Sequence, residues 1–86
     1  MASKKITLRT IGNRIAEMRY AKGVTQQQLA EKSDLSLIYI GSIEQGKRRG
    51  SLFTYEKIVT ALGFTISLLT IHLLRQKGQS LSDFPP

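Results

Sequence analysis

The stretch TQQQLAEKSDLSLIYIGSIEQG, Thr25–Gly46, decides the architecture of this chain. Thr25-Gln-Gln-Gln28 has the form of a capping box: the threonine hydroxyl takes an orphan amide of the first helical turn, and the glutamine side chain returns to the cap residue's own amide. A short helix from about Thr25 to Lys32, burying Leu29 and Ala30, is expected. Ser33-Asp34 interrupts it. Ser36 is a good N-cap for another short helix running to about Gln45, and Gly46 is placed to take the left-handed conformation that ends one. The stretch therefore encodes two short helices around a tight turn.

Outward from this pair the pattern stays helical on both sides. Leu8, Ile11, Ile15 and Met18 recur at three- and four-residue intervals before Gly23, which describes an amphipathic helix with a glycine stop. Downstream, Lys47-Arg-Arg-Gly50 is a basic loop, and Ser51 can cap a fourth helix expected to bury Leu52, Tyr55, Ile58, Val59 and Leu62. After Gly63 the apolar residues scatter around a helical wheel. Read with a period of two, Phe64-Thr-Ile-Ser-Leu68 and Leu69-Thr-Ile-His-Leu73 each alternate, joined out of phase as a β-bulge would join them. A β-strand is the favoured reading, and an irregular fifth helix is the alternative.

A lone strand cannot satisfy its own edges, and four helices offer it no partner. Pairing with the same strand of a second copy across a two-fold axis is the expected solution, with Phe64, Ile66, Leu68, Leu69, Ile71 and Leu73 as dimerisation residues. The expected class is mainly α: a basic arm over 1–7, a four-helix domain over 8–63, a dimerising segment over 64–77 and a flexible tail over 78–86.

Composition narrows the function. With 86 residues the chain is one domain, and with no cysteine its stability must come from apolar packing or association. Its formal charge of +7 favours polyanionic partners, either nucleic acid or an acidic membrane. The apolar run Phe64–Leu74 is broken by Thr65, Ser67, Thr70 and His72, and no apolar segment follows the basic N-terminus, so a soluble, cytoplasmic protein is expected. Catalysis has little support. The single histidine, His72, has no serine or carboxylate arranged beside it, and a polar-face or interface role suits it better. Without cysteine or a second histidine no metal site is expected, and without a Walker-type loop no cofactor is implied.

At Ile11-Gly-Asn-Arg-Ile-Ala-Glu-Met-Arg19, Gly23-Val-Thr-Gln26, Gln28-Leu-Ala30, Leu35-Ser36, Tyr39-Ile40, Ile43-Glu44, Gly46-Lys47 and Ala61-Leu-Gly63 the chain closely resembles the lambda-repressor/Cro-like helix-turn-helix family, also called the xenobiotic-response-element type. The resemblance spans roughly residues 8–69. It implies a DNA-binding transcriptional regulator, bacterial or phage-encoded. Independently, a wheel of Ser36–Gln45 sets Ile40 and Ile43 on one side and Ile38, Gly41, Ser42 and Gln45 on the other, with Leu37 and Tyr39 flanking the outward face. A helix of this diameter fits the major groove of B-form DNA, where base edges can be read.

The resemblance assigns roles to particular side chains. Ser36, Leu37, Ile38 and Ser42 match positions that approach bases or nearby backbone, and Gln26 matches a phosphate-clamping glutamine at a helix N-terminus. Tyr39 can donate to a phosphate, and Arg48 and Arg49, with Lys47 beside them as a further expected DNA contact, match a loop that in the family often lies along the DNA backbone. Arg19 and Glu44 match a partly buried ion pair tying the first helix to the third. Solvated positions are the plainer reading for Gln26, Arg48 and Arg49.

One departure stands out. Leu37 and Ile38 occupy positions where the family often places Gln, Arg, Ser or Asn, and neither aliphatic chain can hydrogen-bond a base. Readout should lean on thymine methyls, Ser42, Gln45 and DNA shape, unless these residues cover protein instead. Gly41, on the same face, weakens the helix by about 1 kcal/mol relative to Ala, which a close approach of DNA would rationalise.

Three functions follow. The first is a non-enzymatic regulator, most simply a repressor, that binds a palindromic operator as a homodimer. The second is an antitoxin that autoregulates its promoter and holds a toxin, which rests on similarity of the expected strand to that of Hip-type antitoxins; restriction–modification controller proteins instead have a helical C-terminal segment. The third is a protein-interaction module that no longer reads DNA.

Overall fold

The computed structural model describes residues 6–76, so residues 1–5 of the basic arm and the whole 78–86 tail lie outside the described residues. Five helices follow one another: α1 (Leu8–Ala21), α2 (Gln26–Ser33), α3 (Leu37–Glu44), α4 (Leu52–Ala61) and α5 (Ile66–Gln76). Each of the first four begins at a hydroxyl cap. The Oγ atoms of Thr7, Thr25, Ser36 and Ser51 accept the amides of Thr10, Gln28, Tyr39 and Thr54 at 3.0–3.1 Å. At Thr25 the box is closed, because the Thr25 amide donates to Gln28 Oε1 at 2.9 Å. Each such cap stabilises by about 1 kcal/mol.

The turn between α2 and α3 depends on Asp34, which takes a left-handed conformation at φ 59°. Aspartate tolerates this region better than most residues. The Leu35 amide then donates to the Ala30 carbonyl at 3.0 Å, which closes the α2 end and sends the chain into Ser36. At the far end of α3, Gly46 has φ 75°, and a Cβ there would also strike the backbone of Arg9. Glycine is thus required twice over at that position.

Ile15, Met18, Leu29, Ile40, Ile43, Ile58 and Val59 form the fully buried centre, extended by Leu62, Leu69 and Leu73. Helix α1 packs on α3, α4 and α5, while α2 packs on α3 and α4.

Two expectations are corrected. Residues 66–76 are a helix, not the strand favoured from period-two alternation. Ile66, Leu69 and Leu73 lie at i, i+3 and i+7, and this stripe docks against α1 and α4 with Leu69 and Leu73 buried. A helix satisfies its backbone internally while burying those leucines in the same chain, whereas a strand would leave an open edge. The scatter on the wheel arises because Leu68 points away and is 37% exposed. The second correction is Leu52, expected in the core but 73% exposed at the start of α4. The side chain of His72 lies outside the described residues.

Candidate nucleic-acid interface

Helix α3 presents the face predicted for it. Ile40 and Ile43 are each 1% exposed and anchor one side, while Ile38 is 81% and Leu37 44% exposed on the other. Gln45 and Ser36 are also exposed, and Gly41, Ser42 and Tyr39 are half-buried. Because the two isoleucines are locked in the core, the outward residues have a fixed rotation relative to α2. Gln27 of α2 and Ser36 and Leu37 line one shallow groove between the two helices.

A buried polar cluster fixes the other end of α3. Arg19 Nε donates to Glu44 Oε2 at 2.8 Å and Nη2 to Oε1 at 3.0 Å, a bidentate geometry, while Nη1 donates to the Val24 carbonyl at 2.9 Å. Both side chains are nearly inaccessible to solvent. The hydrogen bond to Glu44 raises the Arg19 pKa above its ordinary value, against the opposing effect of burial. Gln26 Nε2 donates to the same Glu44 Oε1 at 3.0 Å. One carboxylate therefore joins α1, the start of α2 and the end of α3. Gln26 retains a second amide hydrogen, and its Oε1 lies 3.8 Å from where a Cβ on Gly41 would stand.

The basic loop is pinned at both ends. The Lys47 amide donates to the Ser42 carbonyl at 2.9 Å, and the Gly50 amide donates to the Tyr55 hydroxyl at 3.0 Å. Lys47, Arg48 and Arg49 are exposed between these anchors, and the Arg48 guanidinium sits over the Tyr39 ring, 5.3 Å from its centroid. A charge on a short, tethered loop loses less freedom on meeting a phosphate than one on a mobile segment.

Of the residues proposed for DNA contact, Leu37, Ile38, Tyr39 and Ser42 share α3 with its cap Ser36; Gln26 reaches α3 through Glu44, and Arg48 reaches it through Tyr39. The six dimerisation residues divide differently. Leu69 and Leu73 belong to the chain's own core, Phe64 and Ile66 pack partly against it, Ile71 is half-buried, and Leu68 is exposed.

Two supporting residues carried no assigned role in the sequence. A Cβ on Gly12 would collide with the carbonyl oxygens of Ile43 and Glu44, so α1 and α3 meet backbone to side-chain-free backbone there. A glycine inside a helical pattern is the signal that points to such a contact. Arg9 Nη1 donates to the Gln45 carbonyl at 3.3 Å, an interaction with no local signature.

The helix-turn-helix family model matches residues 15–69. The chain belongs to the lambda-repressor/Cro-like helix-turn-helix family. Within the family, it is 42% identical over 60 residues to the immunity repressor protein of Bacillus phage phi105, covering 70% of this chain and 42% of the repressor. It thus spans less than half the length of that relative. The crystal structure of the restriction-modification controller protein C.AhdI from Aeromonas hydrophila is 40% identical and superposes with a TM-score of 0.70, covering 72% of this chain and 94% of that one. The controller protein C.Esp1396I, solved as a tetramer in complex with its natural 35 base-pair operator, is 28% identical with a TM-score of 0.78, covering 88% and 100%. The helical α5 removes the ground for the antitoxin alternative, which rested on a strand after Gly63. Among the described residues no helix is long and apolar enough to cross a membrane.

Proposed function

We propose that this chain is a transcriptional regulator, most simply a repressor, that binds double-stranded DNA sequence-specifically as a homodimer and performs no catalysis. Its place is the cytoplasm, on the nucleoid when bound. The observation that carries the reading is the division of α3: Ile40 and Ile43 sealed in the core while Leu37 and Ile38 stand in solvent beside the exposed Lys47-Arg48-Arg49 loop. In this arrangement α3 enters the major groove, its outward residues meet base edges, and the loop follows the phosphates. Gln26 offers its remaining amide hydrogen to a phosphate at the entrance of α2, where the helix dipole also favours an anion.

Dimerisation draws on the apolar surface the fold leaves uncovered. With Leu69 and Leu73 committed to the core, Leu68 and Ile71 on α5, together with Leu52 and Phe53 on α4, are among the described residues open to a second copy. Two reading helices then address half-sites about one DNA turn apart.

The testing experiment is a salt titration of duplex binding. If each subunit neutralises about four phosphates, log affinity against log salt has a slope near −7 for the dimer, from about −0.9 per phosphate. A slope near zero refutes groove binding and favours a protein-interaction module presenting Leu37 and Ile38.

A further inference from the structure

Two residues on the outward face of α3 have no explanation in the folded chain. Ile38 is 81% exposed, the most exposed of the large apolar side chains among the described residues, and it contributes nothing to the core. A β-branched residue is also a poorer helix former than Leu or Ala, so an eight-residue helix gains nothing from it. Gly41 stands three residues further on, on the same side of the helix. A Cβ there would meet only Gln26 Oε1, at 3.8 Å, which is ordinary contact. The fold demands glycine at positions 12 and 46, where backbone would be struck, and does not demand it at 41.

An apolar projection beside a notch suits a particular feature of DNA. In the major groove the apolar group on a base edge is the C5-methyl of thymine; the other edges present hydrogen-bonding atoms. Ile38 can neither donate nor accept a hydrogen bond. The neighbouring Ser36 hydroxyl accepts the Tyr39 amide and keeps its own hydrogen to donate, the Tyr39 ring lies under Arg48, and the exposed side chains of Leu37 and Ile38 carry no polar atom. The first turn of α3 is therefore dominated by aliphatic carbon, and the absent Cβ at Gly41 lets this turn approach the bases more closely.

Resting on the DNA-reading function above, we infer that Ile38 and the Gly41 notch form a reader of pyrimidine C5-methyl groups, so that the chain responds to cytosine C5-methylation at its operator. The reason is chemical. 5-Methylcytosine places its methyl at the same point of the groove as thymine does and differs at the adjacent position, where an amino donor replaces a carbonyl acceptor. A side chain without polar atoms is insensitive to that exchange. At the base pair under Ile38, thymine and 5-methylcytosine should be bound alike and unmethylated cytosine less well. Methylation of that cytosine would strengthen occupancy of the operator, coupling regulation to the methylation state of the DNA.

The test begins with duplexes selected by the full-length chain from a randomised pool. Each thymine of the selected consensus is then replaced by deoxyuridine, which removes only the methyl group. At the position under Ile38 this should weaken binding about fourfold per half-site, the effect of exposing one methyl-sized apolar group. Placing a C·G pair there should weaken binding similarly, and 5-methylating that cytosine should restore it. Ile38→Ala should abolish the response to both changes with an unchanged melting temperature, and Gly41→Ala should reduce affinity for the consensus without lowering the melting temperature. Equal binding to all deoxyuridine variants, or a methyl response that persists in Ile38→Ala, overturns the inference while leaving DNA reading intact. Failure to enrich any sequence overturns both.

Discussion

Arg19 and Glu44 show why a buried charge pair is all or nothing. The guanidinium and carboxylate have surrendered solvent and meet at 2.8 and 3.0 Å, with Gln26 and the Val24 carbonyl satisfying further atoms. Removing one partner strands the other. Arg19→Ala or Glu44→Ala should each destabilise by about 3–5 kcal/mol in denaturant titrations, whereas the double change Arg19→Met with Glu44→Leu should fall much nearer the wild type. Since the Arg19 pKa is raised on folding, its contribution is fully present below the unfolded-state value and lost only as pH rises through the folded one. That loss sets in only in strongly alkaline solution, so the arginine side of the clamp is not a source of pH sensitivity near neutrality. The glycines give a second contrast. Gly12→Ala pushes a methyl into two carbonyls and should cost about 1–3 kcal/mol, while Gly41→Ala makes only an ordinary contact with Gln26 Oε1 and should stabilise α3 by about 1 kcal/mol in thermal melts.

Helix α5 is held by packing on α1 and α4. Its docking rests on Ile66, Leu69 and Leu73, so Leu69→Ala should destabilise by about 2–5 kcal/mol and Leu68→Ala by far less in the monomeric chain. Equal losses would mean that α5 is rotated from the orientation described. The loop between α3 and α4 makes a different kind of contribution. It is anchored through the Lys47 and Gly50 amides and not through its charges, so Arg48→Ala with Arg49→Ala should leave the melting temperature nearly unchanged. The same double variant should flatten the salt slope of DNA binding by about 1–2 per subunit, measured by fluorescence anisotropy across a range of salt.

For the assembled protein, the exposed apolar residues become decisive. Leu52 and Phe53 at 73% and 69% exposure, with Leu68, are a costly surface for a chain of this size to leave in water. In the dimer proposed above, a second copy would cover them. Sedimentation of the full chain should show a dimer in the micromolar range, and Phe53→Asp or Leu68→Asp should shift it to monomer with unchanged helicity. A wild-type chain that remains monomeric would reassign that surface to another partner.

Much of this was legible beforehand, because it is governed by neighbours in the chain. The capping box at Thr25, the Ser36 cap, the left-handed Gly46 and the opposed faces of Ser36–Gln45 all depend on residues within one or two helical turns, where spacing alone dictates geometry. The same reading placed the exposed face of α3 and the exposed basic loop beside it. The family pattern added the Arg19–Glu44 pair, which composition could not. What escaped were contacts between residues far apart in sequence: Gly12 against the α3 carbonyls, Arg9 on Gln45, and the docking of α5. Residues 64–74 alternate in polarity and also carry a stripe at 66, 69 and 73, so their local pattern is degenerate between strand and helix. The choice was made by the surface that α1 and α4 offered, where a helix could bury two leucines within its own chain and a strand would have waited for another.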